Sequence, residues 1–324
     1  MPRTSRLRRR LLTFVALSSL IAIVALVSTS TIGQRELITD FEEVDLHPTY
    51  TVLQNVTYCS VGSQNLLADI YYPLHRSAGM PFVLFVHGGG WQFNTKRHIL
   101  EDPEKSTLHA LTTHGYVVAA IDYRLAPQHQ FPVMIEDVKC AVRSFRAQAQ
   151  RFQIDPRRMA AWGTSAGGHL VDLLGVADRS IGWDVGQYLG QSSRVQAVVA
   201  WFAPTDLGAL PDAAKQQQAL QAAFGTTNPK VLARDSPISY VDADDPPFLI
   251  VQGKEDQTVP PSQSERFAAV LRAADVYTDL QLVDHSGHGF APSPPNASID
   301  PSLDQINNLV VSFLDRELPA TTSH

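Results

Sequence analysis

Apolar residues in the middle of this chain come in short unbroken runs, separated by longer stretches with helical spacing. Pro81-Phe82-Val83-Leu84-Phe85-Val86-His87 and Val117-Val118-Ala119-Ala120-Ile121-Asp122 are such runs, and so are Ala160-Ala161-Trp162, Val195 to Phe202 and Pro246 to Gly253. A strand covered on one face alternates apolar and polar residues. A run without alternation has both faces buried, as in a parallel sheet with helices on each side. Between the runs, Leu100 to His114 reads as a helix stopped by Gly115. Phe131 to Phe152 reads as another, with Val133, Ile135, Val138, Ala141, Val142 and Phe145 along one stripe. Leu280 to Val283 is the last expected strand, and Leu303 to about Leu314 a closing helix. These intervals are too long for hairpins and right for parallel crossovers, so they predict an α/β fold with a doubly wound, mostly parallel sheet. The start differs. From about Tyr50 to Tyr72 apolar residues alternate around Gly62 and Ser63, so a hairpin is expected to open the sheet.

Two segments depart from this rhythm. Residues from about 208 to 235, with Gln216-Gln217-Gln218 and scattered alanines, are expected to form a short helical lid over the strand ends. The N-terminus holds Arg3, Arg6, Arg8, Arg9 and Arg10, and then Leu11 to Val27 without a charge. Residues 1–34 therefore read as a signal peptide or a membrane anchor, with an uncleaved anchor favoured, and residues 35–324 as one globular domain. Either way the arginines stay in the cytosol and the body is exported, whether secreted or held at the membrane. A chain of 324 residues with 44% hydrophobic content can fill one large core, and no linker or repeat divides it.

The net charge is −6 even with the arginine-rich leader included, so the body is more acidic still. An acidic surface repels phosphate backbones, which argues against a nucleic-acid partner. Cys59 and Cys140 are compatible with one disulfide in an exported protein, or with two buried thiols. Oligomeric state is left open.

The chemistry concentrates in Gly163-Thr164-Ser165-Ala166-Gly167. A G-x-S-x-G pentapeptide after an apolar run is the signature of a turn that lifts a serine clear of strand and helix, where a neighbouring base can take its proton. Upstream, the buried run ending at His87 feeds into Gly88-Gly89-Gly90-Trp91. Glycines there bring bare N–H groups up to a reacting atom, and no G-K-[ST] follows to suggest a phosphate loop. Ligands of an open α/β sheet bind beyond the carboxyl ends of its strands, and Ser165, Asp256 and His288 all follow strands, in the chain order Ser, acid, His. Glu255 is the rival acid and His285 the rival base; Gly287 and Gly289 give His288 the freer loop. His285 and His288 offer no third ligand for a metal, and no cofactor is implied. Asp122 and Arg124, in Asp122-Tyr123-Arg124-Leu125-Ala126-Pro127, are expected to brace the glycine loop by charge-assisted hydrogen bonds.

HGGGW, DYRLAP, GTSAGGHL and GHGF together resemble the α/β-hydrolase esterases of the hormone-sensitive-lipase-like group, and more closely its small-cap branch with acetyl-xylan and feruloyl esterases. The likeness covers about Tyr50 to Leu318. It implies an oxyanion hole from the N–H groups of Gly89, Gly90 and Ala166, and a Ser165-His288-Asp256 triad. Thr164 stands where the lipase branch typically has Asp, which favours the small-cap branch. The expected activity is hydrolysis of small or short-acyl carboxylic esters through an acyl-enzyme. An amidase, formamidase or peptidase on the same triad is the alternative, and a non-catalytic binding module on this fold is the alternative of another class.

Overall fold

The structure is a computed structural model and describes residues 44–46 and 49–320. The expected signal or anchor at 1–34 lies outside the described residues, and among those described no helix is long and apolar enough to cross a membrane.

Among the described residues nine strands make one sheet: β1 (Val44–Leu46), β2 (Tyr50–Val61), β3 (Gln64–Pro73), β4 (Met80–Val86), β5 (Val117–Ile121), β6 (Ile154–Thr164), β7 (Ala197–Trp201), β8 (Phe248–Gly253) and β9 (Thr278–Val283). Their order is β1-β2-β3-β5-β4-β6-β7-β8-β9. The six strands from β5 across to β9 are parallel, and β1, β2 and β3 form an antiparallel edge. The expected hairpin is β2 and β3, turning at Gly62. β5, β7 and β8 are buried at every position, as the apolar runs of β5, β7 and residues 248–251 require.

Helices cover both faces: α1 (Glu104–Thr113), α2 (Val133–Ala147), α3 (Ala166–Val176), α4 (Ala214–Phe224), α5 (Pro229–Leu232), α6 (Pro261–Ala273) and α7 (Leu303–Glu317). Val83, Phe85, Ala160 and Trp162 join one cluster with Leu108 of α1 and Val310 and Phe313 of α7. Phe82 points the other way and meets Phe145 of α2, ring centroids 4.9 Å apart. Each large apolar side chain buried here, such as Phe85 or Leu108, contributes roughly 1.5–3 kcal/mol. The thirds of the chain are thus locked around β4 and β6, whose carboxyl ends carry the glycine loop and the serine turn.

Two differences from the sequence reading have physical causes. The helix expected from Leu100 begins only at Glu104, after a 3-10 turn at Lys96–Leu100. Pro103 has no N–H to donate and sits at the boundary, where a helix tolerates proline. Helix α6 was not anticipated. Its buried face holds Gln263 and Ser264 beside Phe267, Ala268 and Leu271, so polar residues blunt the apolar period. Of the two states left open for the cysteines the structure has the disulfide: Cys59 and Cys140 are bonded to each other, Cα atoms 6.5 Å apart, and the bond ties strand β2 to α2.

Candidate active site

β6 ends at Thr164, α3 begins at Ala166, and Ser165 between them has φ 52° and ψ −119°. A positive φ on a non-glycine residue costs on the order of 1–3 kcal/mol and survives only where the surroundings enforce it. Gly163 and Gly167 are that enforcement. A Cβ on Gly163 would lie 2.3 Å from the Gly167 carbonyl oxygen, and one on Gly167 would lie 2.1 Å from that of Val86. Strand and helix therefore touch backbone to backbone and hold the hairpin bend. The Ser165 N–H donates to the Trp201 carbonyl at 2.9 Å, which pins the turn to β7.

The loop after β9 brings His288 over this turn, with Nε2 3.0 Å from Ser165 Oγ. Its Nδ1 lies 2.7 Å from Oδ2 of Asp256, which stands after β8. The Asp256 carboxylate is buried and collects further donors: the N–H groups of Thr258 at 2.8 Å and Val259 at 2.9 Å on Oδ1, and Gln252 Nε2 at 3.2 Å on Oδ2. Ser264 Oγ on α6 donates to Gln252 Oε1 at 2.9 Å and orients that amide. A carboxylate can only accept, so the Nδ1 of neutral His288 carries the proton and Nε2 is left to accept the serine proton. The ring of Phe202 packs against His288, centroids 4.9 Å apart.

The rival acid has other work. Glu255 Oε2 accepts from the Ser286 N–H at 2.7 Å, which fastens the loop that carries His288. His285 is exposed.

The glycine loop lies on the same rim. Gly89 and Gly90 have φ 115° and 58°, Trp91 has φ 61°, and the N–H groups of Gln92 and Phe93 fold back onto the Gly89 carbonyl. None of the N–H groups of Gly89, Gly90 and Ala166 donates to a backbone carbonyl among the described residues; Ala166 opens α3, where helix geometry leaves the donor free. A cavity of about 650 Å³ is bounded by this loop, Ser165, Ala166 and His288, and across it by α4 with Lys215, Gln216, Ala219 and Leu220.

The bracing of the loop needs a correction. Arg124 turns away and forms a paired contact with Asp137 of α2, at 2.9 Å and 2.7 Å, and Asp122 Oδ1 takes the Lys96 N–H at 2.7 Å. The contacts to the loop come from their neighbours: Tyr123 Oη donates to the His87 carbonyl at 3.1 Å, and the Ala126 N–H donates to that of Trp91 at 2.9 Å. His87 itself stacks on Tyr123, and burial pushes its imidazole down to about 4.

Sequence reasoning missed Glu104, Gln252 and His169 as site residues. Glu104 at the start of α1 is 2% exposed yet lines the cavity, and burial raises its carboxyl against the lowering effect of His98. No motif flags it, because it reaches the site by helix packing. His169 stands in the GTSAGGHL motif, but nothing in the sequence gives its partners.

Fold and site together define an α/β-hydrolase with a serine, histidine and aspartate in hydrogen-bonded sequence above the carboxyl edge of its sheet. The BD-FAE family model matches residues 68–271, more than half of the chain, and the chain belongs to that family. It is similar to Esterase LipC of Mycobacterium tuberculosis, 32% identical over 220 residues, which are 65% of this chain and 53% of the relative. It is also similar to mouse (Mus musculus) arylacetamide deacetylase, 36% identical over 140 residues, or 42% and 33% of the two chains. The chain thus spans about half the length of LipC or less of such curated relatives. Among solved structures, a truncated carbohydrate esterase from gut microbiota superposes with TM-score 0.71 at 28% identity, covering 86% of this chain and 100% of that one.

Proposed function

We propose that this chain hydrolyses carboxylic esters of small or short acyl groups, with Ser165 as nucleophile, His288 as general base and acid, and Asp256 as the group that fixes its tautomer. The observation that carries this reading is the continuous path from Asp256 Oδ2 through His288 to Ser165 Oγ, at 2.7 Å and 3.0 Å, on the rim that also holds the glycine loop. In the first step His288 Nε2 takes the serine proton as Oγ attacks the ester carbonyl. The N–H groups of Gly89, Gly90 and Ala166 receive the developing oxyanion. His288 then returns the proton to the leaving alcohol, and in the second half it activates water against the acyl-serine.

The names of the similar proteins, an esterase and a carbohydrate esterase, support an ester as substrate. The test is turnover of p-nitrophenyl esters of increasing acyl length beside the matched anilides. Ser165→Ala should lower ester turnover by about 10⁴-fold or more without unfolding the domain. Anilides turned over faster than the esters would replace this reading by an amidase on the same triad. A folded protein that neither turns over esters nor reacts with a phosphonate would point to a binding module.

We also propose that the domain works outside the cytosol. The Cys59–Cys140 disulfide and the arginine cluster followed by Leu11 to Val27 support this reading. A fusion to alkaline phosphatase after residue 40 tests it, since that reporter is active only when exported.

A further inference from the structure

His169 lies one helical turn after Ser165, is wholly buried, and takes no part in the proton path just described. A buried imidazole must satisfy two unlike nitrogens. Here Nε2 lies 2.8 Å from the carbonyl oxygen of Asp235, at the far end of the lid segment, and Nδ1 lies 3.3 Å from Nε1 of Trp91 in the glycine loop. A carbonyl can only accept and an indole N–H can only donate, so the ring is fixed as the neutral tautomer with its proton on Nε2 and its lone pair toward Trp91. Among the described residues no carboxylate bonds to it, and burial pushes it down to about 4, so it stays neutral through the physiological range.

Trp91 is the residue that needs an anchor. It is 4% exposed and holds φ 61° at the end of a three-residue run of positive φ that includes both glycines of the proposed oxyanion cradle. Its carbonyl is fixed by the Ala126 N–H, and its ring stands edge-on to Phe224 of α4, centroids 5.1 Å apart, and to His169 at 5.4 Å. The indole N–H bond to His169 ties this run to the helix that follows Ser165. We propose that His169 is a positioning residue: through Trp91 it sets the Gly89 and Gly90 N–H groups against Ser165, and through the Asp235 carbonyl it fastens the lid to the same point. This inference rests on the ester-hydrolysis reading, because its kinetic consequence is defined for that reaction.

Three single variants, His169→Phe, His169→Gln and Trp91→Phe, and the H169F/W91F double variant test it, with steady-state hydrolysis of p-nitrophenyl acetate and the indole N–H resonances of ¹⁵N-labelled protein. The Trp91 resonance is the one absent from W91F. In H169F that resonance should move, and kcat should fall about tenfold to a hundredfold with little change in KM, the scale of a misplaced catalytic group. Glutamine carries both a donor and an acceptor, so H169Q should recover most of the loss. W91F keeps His169 but removes the donor; it should reproduce the fall in kcat, and H169F should add little in that background. Folded H169F with the Trp91 resonance unmoved or kcat within twofold of wild type overturns the proposal, and so does an equal further fall when H169F is added to W91F. Should H169F fail to fold, W91F and H169Q decide: wild-type kcat in W91F, or no difference in the Trp91 resonance between H169Q and wild type together with a full loss of kcat, overturns it. Wild-type protein without turnover would refute the ester reading alone, because the resonance reports the contact independently of the reaction.

Discussion

Replacement of Asp256 by asparagine changes one atom and turns the acceptor of two hydrogen bonds into a donor. Oδ1 accepts the N–H groups of Thr258 and Val259, so the asparagine carbonyl oxygen must stay on that side and the new NH₂ must face His288 and Gln252 Nε2. His288 Nδ1 then meets a donor and becomes an acceptor, which moves the imidazole proton to Nε2, opposite Ser165 Oγ. The base is blocked in its most stable tautomer. An inverted tautomer of this kind lowers kcat by about 10⁴-fold, or about 5 kcal/mol of barrier. The substrate cavity is untouched, so KM should stay within a few-fold, and the two retained backbone bonds should keep the protein folded. Steady-state kinetics on p-nitrophenyl acetate, with thermal melts beside them, read both quantities. Glu255→Gln supplies the internal comparison, since Glu255 fastens Ser286 and not His288; its kcat should fall by no more than about tenfold. If E255Q were the crippled variant and D256N kept its kcat within tenfold of wild type, the acid would be misassigned.

Other consequences can be measured separately. Gly89→Ala places a Cβ 2.4 Å from the Phe93 carbonyl oxygen at φ 115°, so the loop must shift, and kcat should fall by about 10²–10³-fold, the scale of one lost oxyanion donor. Removing the disulfide in a Cys59→Ala, Cys140→Ala double variant should cost about 2–5 kcal/mol in urea unfolding, given a sequence separation of 81 residues; denatured wild-type protein should show thiols to Ellman's reagent only after reduction. His87 is buried neutral with its pKa lowered to about 4, whereas unfolded histidine titrates near 6.5. Its contribution is therefore complete above about pH 6.5 and is lost as pH falls towards 4. Across that window wild-type stability should fall by up to about 3 kcal/mol more than that of His87→Gln, read by urea titrations at each pH; parallel curves for the two proteins would contradict the assignment.

The parallel sheet and the three polar residues above it were legible because each depends on local chemistry. Strands β4, β5 and β7 are buried on both faces and apolar throughout, β8 is apolar up to Gln252, and Ser165 needs Gly163 and Gly167 within two positions on either side. What supports those residues was not legible, because it arrives across the fold. Gln252 and Ser264 are separated by 12 positions, His169 and Asp235 by 66, and Trp91 and His169 by 78. The misread role of Arg124 has the same cause: its partner, Asp137, sits on the buried face of α2 in a position that an apolar stripe would assign to solvent or to nothing. Polar residues facing inward weaken the periodic signal where the site needs support, as at Gln263 and Ser264 of α6. In this fold a blurred helix next to a sharp motif is therefore itself informative. Of the two residues that spoil its apolar stripe, Ser264 orients the Gln252 amide on Asp256, whereas Gln263 holds Thr205 and Asp206; Ser264→Ala, which frees that amide to rotate, should lower kcat more than the accompanying fall in melting temperature would suggest. A variant that lost stability with kcat unchanged would assign Ser264 to packing alone.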